Sequence, residues 1–393
     1  MSTTRAWRGA GAVAAIVLLA ACSGRGDAAV GSRVAQPAGA SRAVADRAPE
    51  PSPPSPTTSR APVSPQQPSR SRGDRPRATP PARPHPATAV RQPPAPAVIL
   101  TPGADAPNPM LLTAGGRYYL YTSQTNFWTP NVSVRVSRDL RRWDGPPVDA
   151  MPVTLPWAAV GFTWAPDVHE IGGRYVMYVT SALKDRTPLT QCIGTAVGSR
   201  PEGPFVPLPK PLVCQLDRNG AIDPRVFVDR DDQLWLHWKS DDNADVDGTS
   251  HSSIYAQRLS GDGLRLVGGR TRILEADQPW EGRIVEAPDM ELVDGRYWLF
   301  YSGNWFNQPY YGIGVAECEG PAGPCRKPFG GPWLSSNAQG EGPGEASLFT
   351  DRDGTTWILY SPWAQAYTTP TPRPVAMARV TFGRDGPRLA AVP

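Results

Sequence analysis

The chain reads as an all-β protein, a five-bladed β-propeller set behind a signal peptide and a disordered Pro-rich linker. A repeat of about 60 residues occurs five times. Each repeat carries the same hairpin signature. Prolines crowd into the first hundred residues, whereas 12 of the 13 tryptophans lie beyond them.

The start of the chain resembles an export signal. Arg5 and Arg8 precede an apolar run, 10–21, that is too short to span a bilayer comfortably. It ends in Leu19-Ala20-Ala21-Cys22, which resembles a bacterial lipoprotein box. That resemblance implies removal of 1–21 and acylation of Cys22. The protein is then expected on the outer face of the cytoplasmic membrane, held by its lipid; an ordinary secretory signal is the alternative. Residues 22–98 lack large apolar side chains and cannot offset the entropy of ordering, so a disordered, semi-rigid stalk is expected there. The folded domain is expected over 99–393.

Charge divides along the same boundary. The chain carries a formal +4, but residues 1–98 hold 13 Arg against four acids, which leaves −5 for the remainder. The domain needs no basic face, so nucleic-acid binding is not expected, and a monomer is. Beyond Cys22 four cysteines remain: Cys192, Cys214, Cys318 and Cys325. An even count in an exported chain points to disulfides. Of the three pairings, the local one, Cys192–Cys214 with Cys318–Cys325, is expected. No CxxC or HxxxH spacing suggests a metal, and none is assigned.

The five hairpins are GGRYYLYTS (115–123), GGRYVMYVTS (172–181), DDQLWLHWKS (231–240), DGRYWLFYSG (294–303) and DGTTWILYSP (353–362). Each opens on an Asp/Gly turn pair, alternates aromatic with aliphatic residues, and closes on Ser or a turn former. No helical period interrupts them. Five equal periods, each with room for four short strands, fit a propeller and not a two-sheet sandwich.

A blade begins with its innermost strand, beside the axis. Asn108, Asp223, Glu286 and Glu345 each lie eight residues before a hairpin turn, and Asp167 lies five before one. Rotational repetition should bring all five to one mouth. A single such Asp is more often a turn cap, but four carboxylates and an amide in shared register suggest a pocket where like charges raise one another's pKa. Sugar rings pack on aromatic faces. Trp128, Trp164, Trp280 and Trp305 are the loop candidates, while Trp235, Trp298 and Trp357 read as blade packing. Arg283 is a candidate for a sugar hydroxyl or a mouth carboxylate, and Arg225 for neutralising Asp223. His169, His237 and His251 show no metal or triad spacing. No GxSxG, P-loop or dinucleotide fingerprint occurs.

The stretches 161–181, 220–243, 284–318 and 342–361 together resemble glycoside hydrolase family 43. The resemblance implies a five-bladed propeller that hydrolyses arabinose-, xylose- or galactose-containing oligo- or polysaccharides with inversion. It implies Glu286 as general acid and Asp223 as the residue that orients it and raises its pKa. Two positions depart from the pattern. Asn108-Pro109 stands where the family has its general-base Asp. Glu345 stands where relatives often have a His that helps hold a central ion or water, so an axial Ca2+ loses a ligand and no cofactor is required. Three accounts of Asn108 are open: another carboxylate (Asp105, Asp167 or Glu345) activates the water; Asn108 itself positions it; or hydrolysis is lost and the pocket only binds glycan. A scaffold with a plugged mouth is a third class of function.

Overall fold

The computed structural model describes residues 98–124, 130–186, 189–244, 250–363 and 372–390. Cys22, the leader, the linker and Trp128 lie outside them.

The described residues form five antiparallel sheets in sequence order. Blade one is Met110–Ala114, Arg117–Thr122, Ser133–Ser137 and Trp143–Asp149. Blade two is Ala158–Ile171, Arg174–Leu183, Gln191–Gly198 and Val206–Pro207. Blade three is Ala221–Val228, Leu234–Ser240, Ser253–Leu259 and Leu266–Glu275. Blade four is Val285–Val293, Arg296–Gly303, Gly312–Cys318 and Cys325–Arg326. Blade five has Ser347–Thr350, Thr356–Tyr360 and Ala376–Gly383, and both Val98–Ile99 and Gly386–Ala390 pair with the last of these. The two ends of the domain thus share one blade, which closes the ring and removes an open edge.

The hairpin turns are the ones the sequence signals. Gly115-Gly116, Gly172-Gly173 and Asp294-Gly295 all have positive φ, as a two-residue turn between right-twisted strands requires. Alternation along the strands sends one face of each sheet into each neighbour. Five apolar clusters result, one per blade junction. Met110, Val134, Val168 and Met177 join blades one and two, and Leu100, Leu111, Phe349 and Met377 join five and one. A fully buried Leu, Ile or Phe side chain contributes about 1.5–3 kcal/mol, so these junctions hold the ring. Trp298 is only 2% exposed and lies under Arg296, as expected for blade packing.

Both local disulfides form. Cys318 and Cys325 are paired neighbours on adjacent strands of blade four. Cys192–Cys214 ties the third strand of blade two to the segment leading into blade three. Closing a loop of that length stabilises by roughly 3 kcal/mol.

Candidate active site

One backbone device repeats at the axis. Asn108, Ala165, Asp223, Ala287 and Glu345 all have positive φ, between 47° and 59°. Four of them precede a proline. In blades two, three and four the strand register slips at this point, as at a β-bulge. A left-handed non-glycine residue costs on the order of 1 kcal/mol, so each needs support. The Ala165 N–H donates to Ser123 Oγ at 2.8 Å, Asp223 N–H to Thr180 Oγ1 at 3.0 Å and Glu345 N–H to Ser302 Oγ at 2.9 Å. The Ser/Thr closing one blade's hairpin therefore fixes the bulge of the next blade. In blade four the Ala287 N–H donates instead to the Asp223 carboxylate, at 3.1 Å.

The bulges turn these residues toward one small depression on the axis, lined by Asn108, Ala165, Asp223, Ala287 and Glu345 with Pro166, Pro224, Pro288 and Arg225. Glu286, one residue before the blade-four bulge, joins them through a chain of polar contacts. The Tyr311 hydroxyl lies 2.7 Å from Glu286 Oε1 and 3.0 Å from Glu345 Oε1. Asn108 Nδ2 donates to Glu345 Oε2. Lys239 Nζ is 3.3 Å from Glu286 Oε2 and 3.4 Å from Asp241 Oδ1. Because one hydroxyl touches both glutamates, their nearest oxygens lie within about 6 Å, shorter than the roughly 6.5–9.5 Å of an inverting carboxyl pair and nearer that of a retaining one. Asp223, Glu286 and Glu345 are each 7–8% exposed, so they are nearly desolvated yet still open to the depression.

Crowding sets the charge state. Burial, then the Glu345 and Glu286 charges, push the Asp223 carboxyl well above its usual range, with Lys239 opposing. Burial, then Glu286, also raise Glu345; Arg373 and the hydrogen bonds from Tyr311 and Asn108 pull it back down. Burial would lower the Lys239 ammonium, but Glu286, Asp241 and Asp223 outweigh it and hold Lys239 above its ordinary value.

Several sequence-based expectations need correction. Asp167 is not at the mouth. Residue-for-residue the blade-two bulge is Ala165, and Asp167 lies two positions further along the strand. There it is fully buried, accepting from Val226 N–H at 2.7 Å and Arg225 Nη1 at 3.1 Å, with His169 Nε2 at 2.9 Å. Burial alone would raise it; His169 and Arg225 outweigh that and hold it below the usual range. Asp167 is thus engaged by Arg225, Val226 and His169 and stands outside the depression that Asn108, Asp223 and Glu345 line. Likewise the blade-four register residue is Ala287, and Glu286 reaches the site from one place earlier. Arg225 lines the depression but pairs with Asp167, not with Asp223, and approaches Asp289 at 3.9 Å; the ammonium paired with Glu286 is Lys239.

The aromatic candidates divide. Trp164 lies inside the long first strand of blade two, half-buried, one residue before the bulge. Trp280 lies in a short 3-10 turn, packs on Tyr301 and donates to Gln278 Oε1 at 2.7 Å, a structural placement. Trp305 is exposed, on the same loop as Phe306, Tyr310 and Tyr311. Arg283 donates to the Ser250 carbonyl at 2.9 Å, in the crossing from blade three to blade four. Asp105 accepts from the Arg373 N–H at 3.3 Å.

Tyr311, Lys239 and Arg373 escaped the sequence reading. Lys239 had a signal, a lysine in the otherwise apolar strand LWLHWKS. So did Tyr311, in the glycine opposite it: a Cβ on Gly344 would fall 1.8 Å from the Tyr311 ring, so Gly344 is the space the tyrosine occupies. No axial calcium site fits these residues. The Glu345 carboxylate is taken by Asn108 and Tyr311, and among the described residues no three His, Cys, Asp or Glu gather as a ligand set.

Comparison with known proteins matches this fold. The chain is 27% identical to an extracellular endo-α-(1→5)-L-arabinanase of Thermotoga petrophila over 57% of its own length and 51% of the relative's. It is 26% identical to the β-D-galactofuranosidase xynD of Aspergillus niger over 57% of its length and 63% of the relative's. The chain therefore spans about half to two thirds of these curated relatives. Among solved structures, a thermostable family-43 glycoside hydrolase superposes with a TM-score of 0.65 at 26% identity, over 74% of this chain and 96% of the other. The model of the glycosyl hydrolases family 43 matches residues 101–387, most of the described domain, and the chain belongs to that family.

Proposed function

We propose that this chain is an exported glycoside hydrolase acting on arabinose-, xylose- or galactose-containing glycans by single displacement with inversion. One observation carries the reading: Asp223 and Glu345 line a single depression, the Tyr311 hydroxyl links Glu345 to the nearly desolvated Glu286, and Asn108 donates to Glu345. Glu286 protonates the departing glycosidic oxygen. Glu345 takes the proton from the attacking water, filling the role that Asn108, an amide, cannot. Asp223 binds the Ala287 N–H and so fixes the backbone beside Glu286. Asn108 is a donor here: it holds one Glu345 oxygen and favours the ionised, basic form. Among the relatives, an arabinanase, a galactofuranosidase and xylosidases support this range of substrates, and the arabinanase named extracellular supports export. Processing at residue 21 and acylation at Cys22 would tether the domain outside the cell.

The test is a hydrolysis screen of aryl arabinofuranosides, xylosides and galactosides together with arabinan and xylan, with Glu286→Gln alongside. Proton NMR of the first-formed sugar should show the inverted anomer. A retained anomer would make Glu345 a nucleophile. Equal background release by both proteins would leave the glycan-binding reading, which rests on Asn108 alone.

A further inference from the structure

Tyr311 poses a hydrogen-counting problem. It is fully buried; its hydroxyl contacts Glu286 Oε1 and Glu345 Oε1 at 2.7 and 3.0 Å and also accepts from the Ser302 hydroxyl, which supplies no hydrogen to either glutamate contact. A phenol has one hydrogen to donate, whereas an ionised carboxylate only accepts. Two ionised glutamates would leave one of these buried contacts without a hydrogen, so one carboxyl must supply it. A hydrogen on an outer oxygen would not serve the contact with the phenol, and the Asn108 donor on Glu345 Oε2 and the Lys239 ammonium at Glu286 Oε2 disfavour one there. It must lie on an inner oxygen, in line with the phenol.

We propose that Tyr311 passes a proton between Glu345 and Glu286, so that the two glutamates hold one shared proton and the site is reset through the protein after each turnover. The inference rests on the reading of Glu345 as base. After one displacement Glu345 holds the proton taken from water and Glu286 is ionised. The Glu345 O–H bond then breaks as a new O–H bond forms at Tyr311 Oη. The original Tyr311 O–H bond breaks as an O–H bond forms on Glu286. Atoms and charge balance, and no outside donor enters.

Burial, then Glu286 and Glu345, raise the Tyr311 phenol well above its ordinary value, so it works as a conduit and not as a phenolate base. The other charged groups facing the pair are Asp223, Lys239 and Arg373, with Asp241 behind Lys239. Tyr311 is a positioning residue that acts through the two glutamates.

The test uses the full-length protein on whichever aryl glycoside it cleaves. Tyr311→Phe keeps the ring and removes only the hydroxyl. We expect kcat to fall about 10–100-fold with KM within about threefold, and the two limbs of the pH profile to shift by about a unit or more. We also expect kcat to become dependent on acetate concentration, because a small acid then replaces the internal route; a merely structural role would not produce that dependence. Gly344→Ala, which displaces the ring, should reproduce the same behaviour. A folded Tyr311→Phe enzyme with unchanged kcat, unchanged limbs and no acetate dependence overturns the proposal. The base reading is tested separately by Glu345→Ala with azide. Rescue to an inverted glycosyl azide keeps Glu345 as base whatever Tyr311→Phe does, and absence of rescue removes it. A readout that needs no turnover is the carboxylic-acid C=O infrared band lost in Glu345→Gln or Glu286→Gln. It should shift in Tyr311→Phe, and a band that stays in place overturns the shared proton.

Discussion

The axis of the propeller carries two polar rings built from the same inner strands, two residues apart, and they behave differently. The upper ring holds Asn108, Asp223, Glu286 and Glu345 on or beside the bulges. The lower ring holds Asp167, Arg225, Asp289 and, two residues beyond, Glu291, lining a cavity of about 350 Å3 with His169. In the lower ring Arg225 and His169 meet Asp167 directly, and Asp167 is held ionised while Asp289 and Glu291 beside it are raised. In the upper ring three carboxyl groups meet the Lys239 ammonium and the Asn108 amide, with Arg373 acting on Glu345 and Arg225 at the edge, and Asp223 and Glu345 are still pushed up toward protonation. Pairing yields a fixed, inert strut. A surplus of acids yields groups poised to trade a proton.

The largest expected difference between the rings is in chemistry. Glu286→Gln should lower kcat on an aryl glycoside by about 10³-fold, with a smaller loss of thermal midpoint than Asp167→Asn because Lys239 keeps Asp241 and Asp223. Asp167→Asn should do the reverse. It leaves Arg225 buried with a weakened partner, so urea denaturation should report a loss of about 3–5 kcal/mol, and activity per folded molecule should hold within about threefold. A comparable activity loss in both would erase the distinction between the rings.

Asn108→Asp sharpens the upper ring. It removes the donor to Glu345 and adds a charge beside it, so kcat should fall by about tenfold and the acidic limb should move to higher pH. A gain in kcat would instead show that the native site lacks an efficient base.

The smallest effect belongs to the lower acids. Burial, then Asp289, raise Glu291 to about 8, and burial raises Asp289 to about 6 against the pull of Arg225. A carboxyl whose folded pKa lies above its unfolded value keeps its proton longer in the folded state. The native protein therefore binds more protons than the unfolded chain between about pH 4 and 8, and stability falls as pH rises through that window. Urea midpoints should decline from pH 5 to 8, and Glu291→Gln should flatten the decline.

The ring of blades was legible because a hairpin is a local event. A turn pair and period-two alternation within ten residues suffice to write it, and five copies announce a closed repeat. Asp223, Glu286, Glu345 and Asn108 were legible because they stand at nearly constant distance from those turns. The bulge was not. Residues before proline disfavour the αR region and are usually extended, so nothing local announces a left-handed Ala165 or Ala287. Counting back from the hairpins therefore placed Asp167 at the mouth and gave Glu286 the register of its neighbour.

Sequence alone determined the number of blades and favoured the local disulfide pairs, and it put Asp223 and Glu345 at the axis, since each depends on spacing along a few neighbouring residues. Only the tertiary structure decided which acid is neutralised, which remain crowded, and that Tyr311 stands between two of them. Those outcomes depend on contacts such as Asn108 with Glu345, which join residues more than two hundred positions apart, and no local pattern encodes a distance closed only when the ring is complete.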